Sequence, residues 1–495
     1  MPQSINSQVD AARVLPKLEL VVSHSLGLSE PEQEHALSLM HRDSFYSQTV
    51  ATLTTGIFLT GFALEFKAPN FIIGLLAAIP ALAQLLQLPA IGLLKKYRSR
   101  QTICAWATML SRLFLVPMTL TPFIPSAHLA LTVLIFSYIC HHGIGAVSLC
   151  AWNSLLKDVV PPDQLGLFSS RKHSLNAIVT IVLFLLGGYF IDGWSKQLPT
   201  AVTWGYSLLF ALAILIGLLG IRPLKRIPGP IGCSHSERLA EISLLTMLKQ
   251  PFRDTNFRKM LLFVGSWNFA INLAAPFFAV YMLTMLKYPM ALVTALIIAS
   301  QVANLMFVKT WGKLADRFSN KSVLSVAAPL FITCVLGWTF IPYTGNIKST
   351  LPIAAITQIL FGIASAGVNL AGGNIALKLA PQKKPDAFLA VHGMVASVAA
   401  GLAPVLGGLF ADYFSHQELS LVLQWHSASG FLSFKTLDIQ YWDFFFAFAF
   451  ILGLISLTRL AGVQEPGEVR KKVIVRELVQ ATVRPLTKIY QRMSL

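Results

Sequence analysis

Twelve stretches of about twenty mostly apolar residues, each long enough to cross the hydrocarbon layer of a bilayer, run through this chain and leave few folds open to it. They lie near 44–66, 70–93, 101–122, 128–149, 173–194 and 200–221, and again near 259–284, 290–311, 322–343, 351–372, 388–411 and 441–460. Backbone groups in hydrocarbon have no water to bond, so each stretch must be helical and satisfy itself. The fold class expected is an all-α polytopic membrane protein. An even number of spans places both termini on one side. With 55% hydrophobic and 12% charged residues, the chain carries more apolar surface than a soluble core could hide.

The net charge of +17 is held in the termini and connections, which excludes a nucleic-acid surface as its explanation. Connections with Lys95, Lys96, Arg98 and Arg100, or Lys309, Lys313, Arg317 and Lys321, alternate with others carrying little more than Lys67, Lys196, Lys287, Lys348 and Lys435. The basic side is assigned to the cytoplasm, with both termini there, and the expected location is the bacterial inner membrane. The stretch before the first span lacks a basic start followed by an apolar run, so no cleavable signal peptide is expected. Cys104, Cys140, Cys150, Cys233 and Cys334 show no metal-ligand spacing and are expected to be free thiols; no metal or cofactor is expected.

The chain repeats itself at a constant offset: Gly92 falls on Gly312, Pro122 on Pro342, Pro161 on Pro381, Phe168 on Phe388, and Leu186-Gly187-Gly188 with Asp192 on Leu406-Gly407-Gly408 with Asp412. Two six-helix halves related by an axis along the membrane normal account for this. The expected units are a cytoplasmic segment at 1–43, a bundle at 44–222, a cytoplasmic linker at 223–258 with one surface helix, a second bundle at 259–460 and a basic tail at 461–495. Ser29 and Glu32 have capping-box spacing before a short helix ending near Met40. Roughly twenty extra residues between Tyr413 and Gln440 read as an external loop. The tail from Gln464 to Pro485 has the pattern of a basic amphipathic helix on the anionic inner leaflet, or of a disordered segment.

Gly312-Lys313-Leu314-Ala315-Asp316-Arg317, between spans eight and nine, resembles the loop signature of the major facilitator superfamily. The equivalent first-half loop keeps Gly92 and its cations but has no acid. Asp158, Pro161, Gly166 and Arg171, between spans four and five, resemble a second pattern of that superfamily, with Leu165 where Arg is expected. The resemblance implies a gate in which Asp316 meets Arg171 or the start of span five when the cytoplasmic side closes. Gly401 to Gly408 with Pro404 is similar to a glycine-proline signature of drug-proton antiporters, but lies in the other half and is read as packing.

Charges in hydrocarbon are expensive and so mark function. Away from helix ends the candidates are Arg112, His141, His142 and His392. His141 and His142 sit mid-span on a helix that lines the cavity in this superfamily; adjacent positions lie about 100 degrees apart, so one is expected to face it. Each could carry a proton or be a buried neutral residue bonded to a neighbour. No acidic partner for Arg112 stands out at its depth, and Glu65, Asp192 and Asp412 are read as solvated charges at external helix ends. Spans one, four, seven and ten add Tyr138, Trp267, Asn268, Asn272 and Asn369, with Thr54, Thr55, Tyr281, Gln358 and Asn374, as groups suited to a neutral or mildly polar solute or to interhelical packing. The chain holds no phosphate-binding loop and no catalytic cluster, so it is expected not to be an enzyme. The resemblance implies a monomeric secondary transporter of a small-molecule substrate, working by alternating access in the lipid bilayer, with protons as a coupling ion for export. The alternative is a non-transporting receptor or assembly factor of the same architecture.

Overall fold

A computed structural model describes residues 30–96, 99–161, 164–228, 244–341, 347–381, 385–415, 417–427, 430–440, 442–469, 471–478 and 480. Among these, eleven helices are long and apolar enough to span a membrane. The first span is built from two pieces, α1 (Glu30–Thr54) and α2 (Gly56–Glu65). Thr55 between them is extended, and Gly56 takes a φ of 57°, a conformation an L side chain would resist. The matching position in the second half is Pro276, which also interrupts its helix. Both central helices are therefore broken at the same level by different residues.

The first half continues with α3 (Asn70–Ala83), α4 (Gln87–Lys96), α5 (Arg100–Leu113), α6 (Ala127–Val159), α7 (Leu165–Gln197) and α8 (Val202–Leu219). A short helix, α9 (Leu244–Arg253), precedes the second half. The second half comprises α10 (Thr255–Ala274), α11 (Met290–Arg317), α12 (Asn320–Gly337), α13 (Ile347–Leu379), α14 (Pro385–Phe414) and α15 (Trp442–Ala461).

The halves meet through α3 against α14 and α7 against α11. Glycines set the distance. A Cβ on Gly74 would run into Pro404 O, one on Gly408 into Asn70 O, and one on Gly188 would lie 3.0 Å from Ala291 Cα. Backbones can approach this closely only where side chains are absent.

Two segments differ from expectation, and a third shows what holds it. Helix α1 runs unbroken from Glu30 into the first span, so no separate helix ends at Met40; Ser29 lies outside the described residues. Its apolar side continues past Met40 because Ala36, Leu39 and Met40 pack with Cys104, Trp152 and Phe168. The insertion after α14 is a β-hairpin, β1 (Glu418–Ser427) and β2 (Gly430–Gln440), with antiparallel register from Glu418–Gln440 to Ser427–Gly430. Leu419, Leu421, Leu423 and Trp425 alternate with Ser420, Val422, Gln424 and His426, the period of a strand.

The tail is helical over 471–478, as its pattern implied, and its acids tie it to the second half. Glu465, 5% exposed, accepts from the backbone N–H groups of Asn320 (3.1 Å) and Lys321 (2.6 Å) at the start of α12 and pairs with Lys378 (3.1 Å). Glu468 pairs with Lys321 at 2.8 Å and Glu477 with Arg317 at 3.1 Å. Gln464 exchanges two hydrogen bonds with Asn256, and Val463 and Ile474 are fully buried. The acids, not the cations, decide where this segment goes, because the α12 N-terminus and the basic loop before it attract carboxylates. It forms a strap across the basic end of the second half.

Candidate functional site

A cavity of about 370 Å³ opens inside the first half, lined by α1, α3, α5, α6 and α7. Its charged and titratable residues are Asp43, Arg112, His141, His142 and Lys172. Lys172 comes from the first quarter of α7, Trp152 from the last quarter of α6 and Asp43 from just before the apolar window of the first span, so the cavity lies toward the basic end of the bundle.

Each group is held differently. Arg112 is 3% exposed and donates to the Gly217 carbonyl and to Ser47 Oγ (2.8 Å). Gly217 permits this, because a Cβ there would crowd Val50 and the Arg112 stem. The Asp43 carboxylate, 4% exposed, feels Arg112 first and Lys172 second. Arg112 thus has an acid in reach that the spacing of spans did not reveal, because Asp43 sits just before the first apolar window. His141 Nδ1 lies 2.9 Å from Ser111 Oγ, which donates to the His141 carbonyl at 2.8 Å. The His142 ring is 4.8 Å from that of His141, and both line the cavity, contrary to the expectation that one would. A cavity spanning five helices wraps far enough round α6 to meet both faces. Tyr138 lies behind, 1% exposed, its ring 4.4 Å from His142.

Lys172 Nζ rests 3.8 Å above the Trp152 ring. Buried polar atoms at the cavity without a hydrogen-bond partner are Asp43 Oδ1, Ser44 Oγ, His142 Nε2, Trp152 Nε1 and Asn176 Oδ1. The Trp152 indole lies beside Asp43 without reaching hydrogen-bond geometry. Five such atoms around one cavity mark a site where a polar guest can bind.

The second-half candidates are not brought here. Trp267, 5% exposed, packs against Phe331 at 5.8 Å. Asn268 and Asn272 donate to carbonyls one turn back in α10, of Val264 and Asn268, and Asn369 is exposed on α13. In the loops, Asp158 pairs with Arg100 at 2.6 Å. Asp316 is exposed and has no ion-pair partner among the described residues, while Arg171 lines a groove with His41 and Arg42. Gly92 and Gly312 would both admit a Cβ without a clash.

Asp192 and Asp412 are not simply solvated charges. Asp192, near the end of α7, accepts from the backbone N–H groups of Met290 and Ala291 at 2.8 Å each, capping α11 of the other half. Asp412, near the end of α14, accepts from Asn70 and Phe71 at 2.9 Å each, capping α3. Each acid binds two orphan donors and faces the positive end of a helix dipole. These reciprocal caps join the halves at the end opposite the cavity.

Two six-helix bundles about a pseudo-twofold, joined at one end with a charged cavity toward the other, define a polytopic membrane protein of the permease type. The chain matches the Major Facilitator Superfamily over residues 44–353 and belongs to that family. A Bacillus subtilis (strain 168) protein described as the uncharacterized MFS-type transporter YxiO is 23% identical over 291 residues, covering 57% of this chain and 65% of that protein. Among solved structures, the nucleoside transporter NupG superposes with a TM-score of 0.59 at 12% identity, covering 86% of this chain and 98% of that one. A bacterial homologue of the iron transporter ferroportin in an inward-facing state gives 0.61 at 12%, covering 88% and 99%. A D-xylose–proton symporter gives 0.55 at 15%, covering 89% and 98%. These likenesses concern the fold.

Proposed function

We propose that this protein is a secondary active transporter that carries a small organic solute by alternating access, with the first-half cavity as the polar part of its substrate site. The observation that carries the reading is a charged cavity near the basic end of a molecule whose opposite end is tied shut by two reciprocal caps. Burying Asp43 and Arg112 there, with Lys172 half-buried beside them, costs several kcal/mol unless they act together. Function supplies the reason to keep them.

The cycle follows from the geometry. With the basic end on the cytoplasmic side of a bacterial inner membrane, solute enters from within. Release outward requires the Asp192 and Asp412 caps to open and the cytoplasmic loops to close, and Asp316 meeting Arg171 or the start of α7 is the contact available to that second state. Asp43, flanked by two cations, and the adjacent histidines are the groups through which protons drive export. Reconstitution into liposomes with an imposed pH gradient tests this. The expected result is saturable solute flux that collapses in Asp43→Asn. Saturable binding without flux under either gradient would replace transport by a receptor role.

A further inference from the structure

We propose that the solute held in this cavity is an organic anion whose carboxylate is bound by Lys172, with Asn176 one turn further along α7 as its second donor. The inference rests on the assignment of the cavity as the substrate site and adds the chemical class.

Charge balance comes first. Besides its two histidines the cavity holds one acidic group, Asp43, and two basic groups, Arg112 and Lys172. Arg112 is engaged by Gly217 O and Ser47 Oγ, and its field falls most strongly on Asp43. Lys172 is the remaining cation. It has no hydrogen-bond or ion-pair partner among the described residues and lies against the Trp152 face instead. An aromatic face steadies an ammonium less than a charge-assisted hydrogen bond to a carboxylate does. A lysine here with no guest to bind would extend into water, as neighbouring Arg171 and His173 on α7 do.

Asn176 lies one turn on, on the same face of α7, with its Oδ1 buried and unpartnered. Rotating that amide by half a turn leaves its shape unchanged and presents Nδ2 as a donor. The positions that the repeat pairs with Asp43, Arg112, His141, Lys172 and Asn176 are Phe263, Ile332, Phe361, His392 and Ala396, so of the five only His392 is titratable and none lines the cavity. The cavity wall sets Ala51, Pro80, Ala83 and Leu149 beside the cations, so a guest meets charge and apolar groups together. That pairing suits an organic monoanion better than an inorganic one.

The test is thermal stability of the purified full-length chain with a panel of monocarboxylates on aliphatic, aromatic and hydroxylated skeletons, each beside the alcohol and the amine of the same skeleton. At least one carboxylate is expected to raise Tm saturably while its alcohol and amine do not. Lys172→Gln is expected to weaken the half-saturating concentration at least tenfold, with Lys172→Arg within a few-fold of wild type. Should Lys172→Gln not fold, Asn176→Asp, which sets an acid beside the lysine, is expected to abolish the same shift. An alcohol or amine that stabilises as well as its carboxylate, with a shift lost in Trp152→Ala, overturns the anion class and keeps the site. Stabilisation unmoved by any cavity variant overturns the site as well, and a panel in which no carboxylate stabilises overturns the proposal.

Discussion

The two halves share a fold and differ in what fills it. Where the first half has Arg112, His141 and Ser111, the second has Ile332, Phe361 and Phe331 at the same offset. Phe331 packs on Phe361 at 4.5 Å and on Trp267 at 5.8 Å, and Phe278 stacks on Trp338 at 5.4 Å. One half is therefore a polar box and the other an aromatic block. At the basic end the difference is inverted. Asp158 pairs with Arg100 within the first half, but the matching residue Lys378 must borrow Glu465 from the tail. At the end with the caps the halves remain alike, Asp192 and Asp412 doing the same task. Duplication thus supplied a symmetric hinge and left the interiors free to diverge.

The sharpest way to break the comparison is to exchange the contents. Arg112→Met removes the donor to Gly217 O and Ser47 Oγ and the cation that acts most strongly on buried Asp43, an expected loss of about 1–3 kcal/mol. Adding Asp43→Asn should recover a large part of it, measured by thermal unfolding in detergent as a double-mutant cycle. The mirror change Ile332→Arg places an unpaired guanidinium at a position 3% exposed and should prevent accumulation of folded protein.

The strap is the next largest effect. Glu465→Gln removes a buried anion from the α12 N-terminus and from Lys378, an expected loss of about 1–3 kcal/mol. Hydrogen exchange should rise in residues 317–322 and 464–478 and stay level at the first-half cavity; exchange rising equally in both halves would contradict the division.

The caps come third. Asp192→Asn and Asp412→Asn should each weaken the closed end by about 1 kcal/mol, and, because the two are equivalent, by similar amounts. Labelling of cysteines placed beside Met290 and Asn70 should increase in both single variants and most in the double. A response from one variant alone would show that the hinge is not symmetric.

The smallest effect is a pH dependence at His41, outside the membrane-spanning segments. Burial, then Arg171 and Lys172, lower its pKa from 6.5. The unfolded chain then takes a proton near pH 6.5 while the folded chain resists it, so this contribution is complete above 6.5 and lost as pH falls below. Between pH 7.5 and 5.5 wild-type Tm should fall slightly more than that of His41→Gln.

The spans, the offset and the basic loops were legible because each is a local property: hydrocarbon thickness demands run length, and a duplicated helix keeps its glycines and prolines at constant spacing. The site was legible in part. Arg112, His141 and His142 stood out as charges where charge is costly, and the structure puts all three on one cavity. Asp43 and Lys172 did not stand out, because each lies just outside an apolar window and looks like an ordinary loop charge. The second-half candidates Trp267, Asn268, Asn272 and Asn369 were chosen by residue type, and an amide that bonds its own helix is the same residue type as one that faces a guest.

By itself the sequence determined a helical membrane fold of two repeated halves, since the cost of an unbonded peptide group in hydrocarbon admits little else. Which charges meet was decided by tertiary structure alone. Asp43 on α1 comes within the field of Arg112 on α5, Asp192 and Asp412 cap helices of the opposite half, and Glu465 in the tail binds the start of α12. Such encounters depend on how helices pack and turn about their axes, and no local pattern in the chain encodes that.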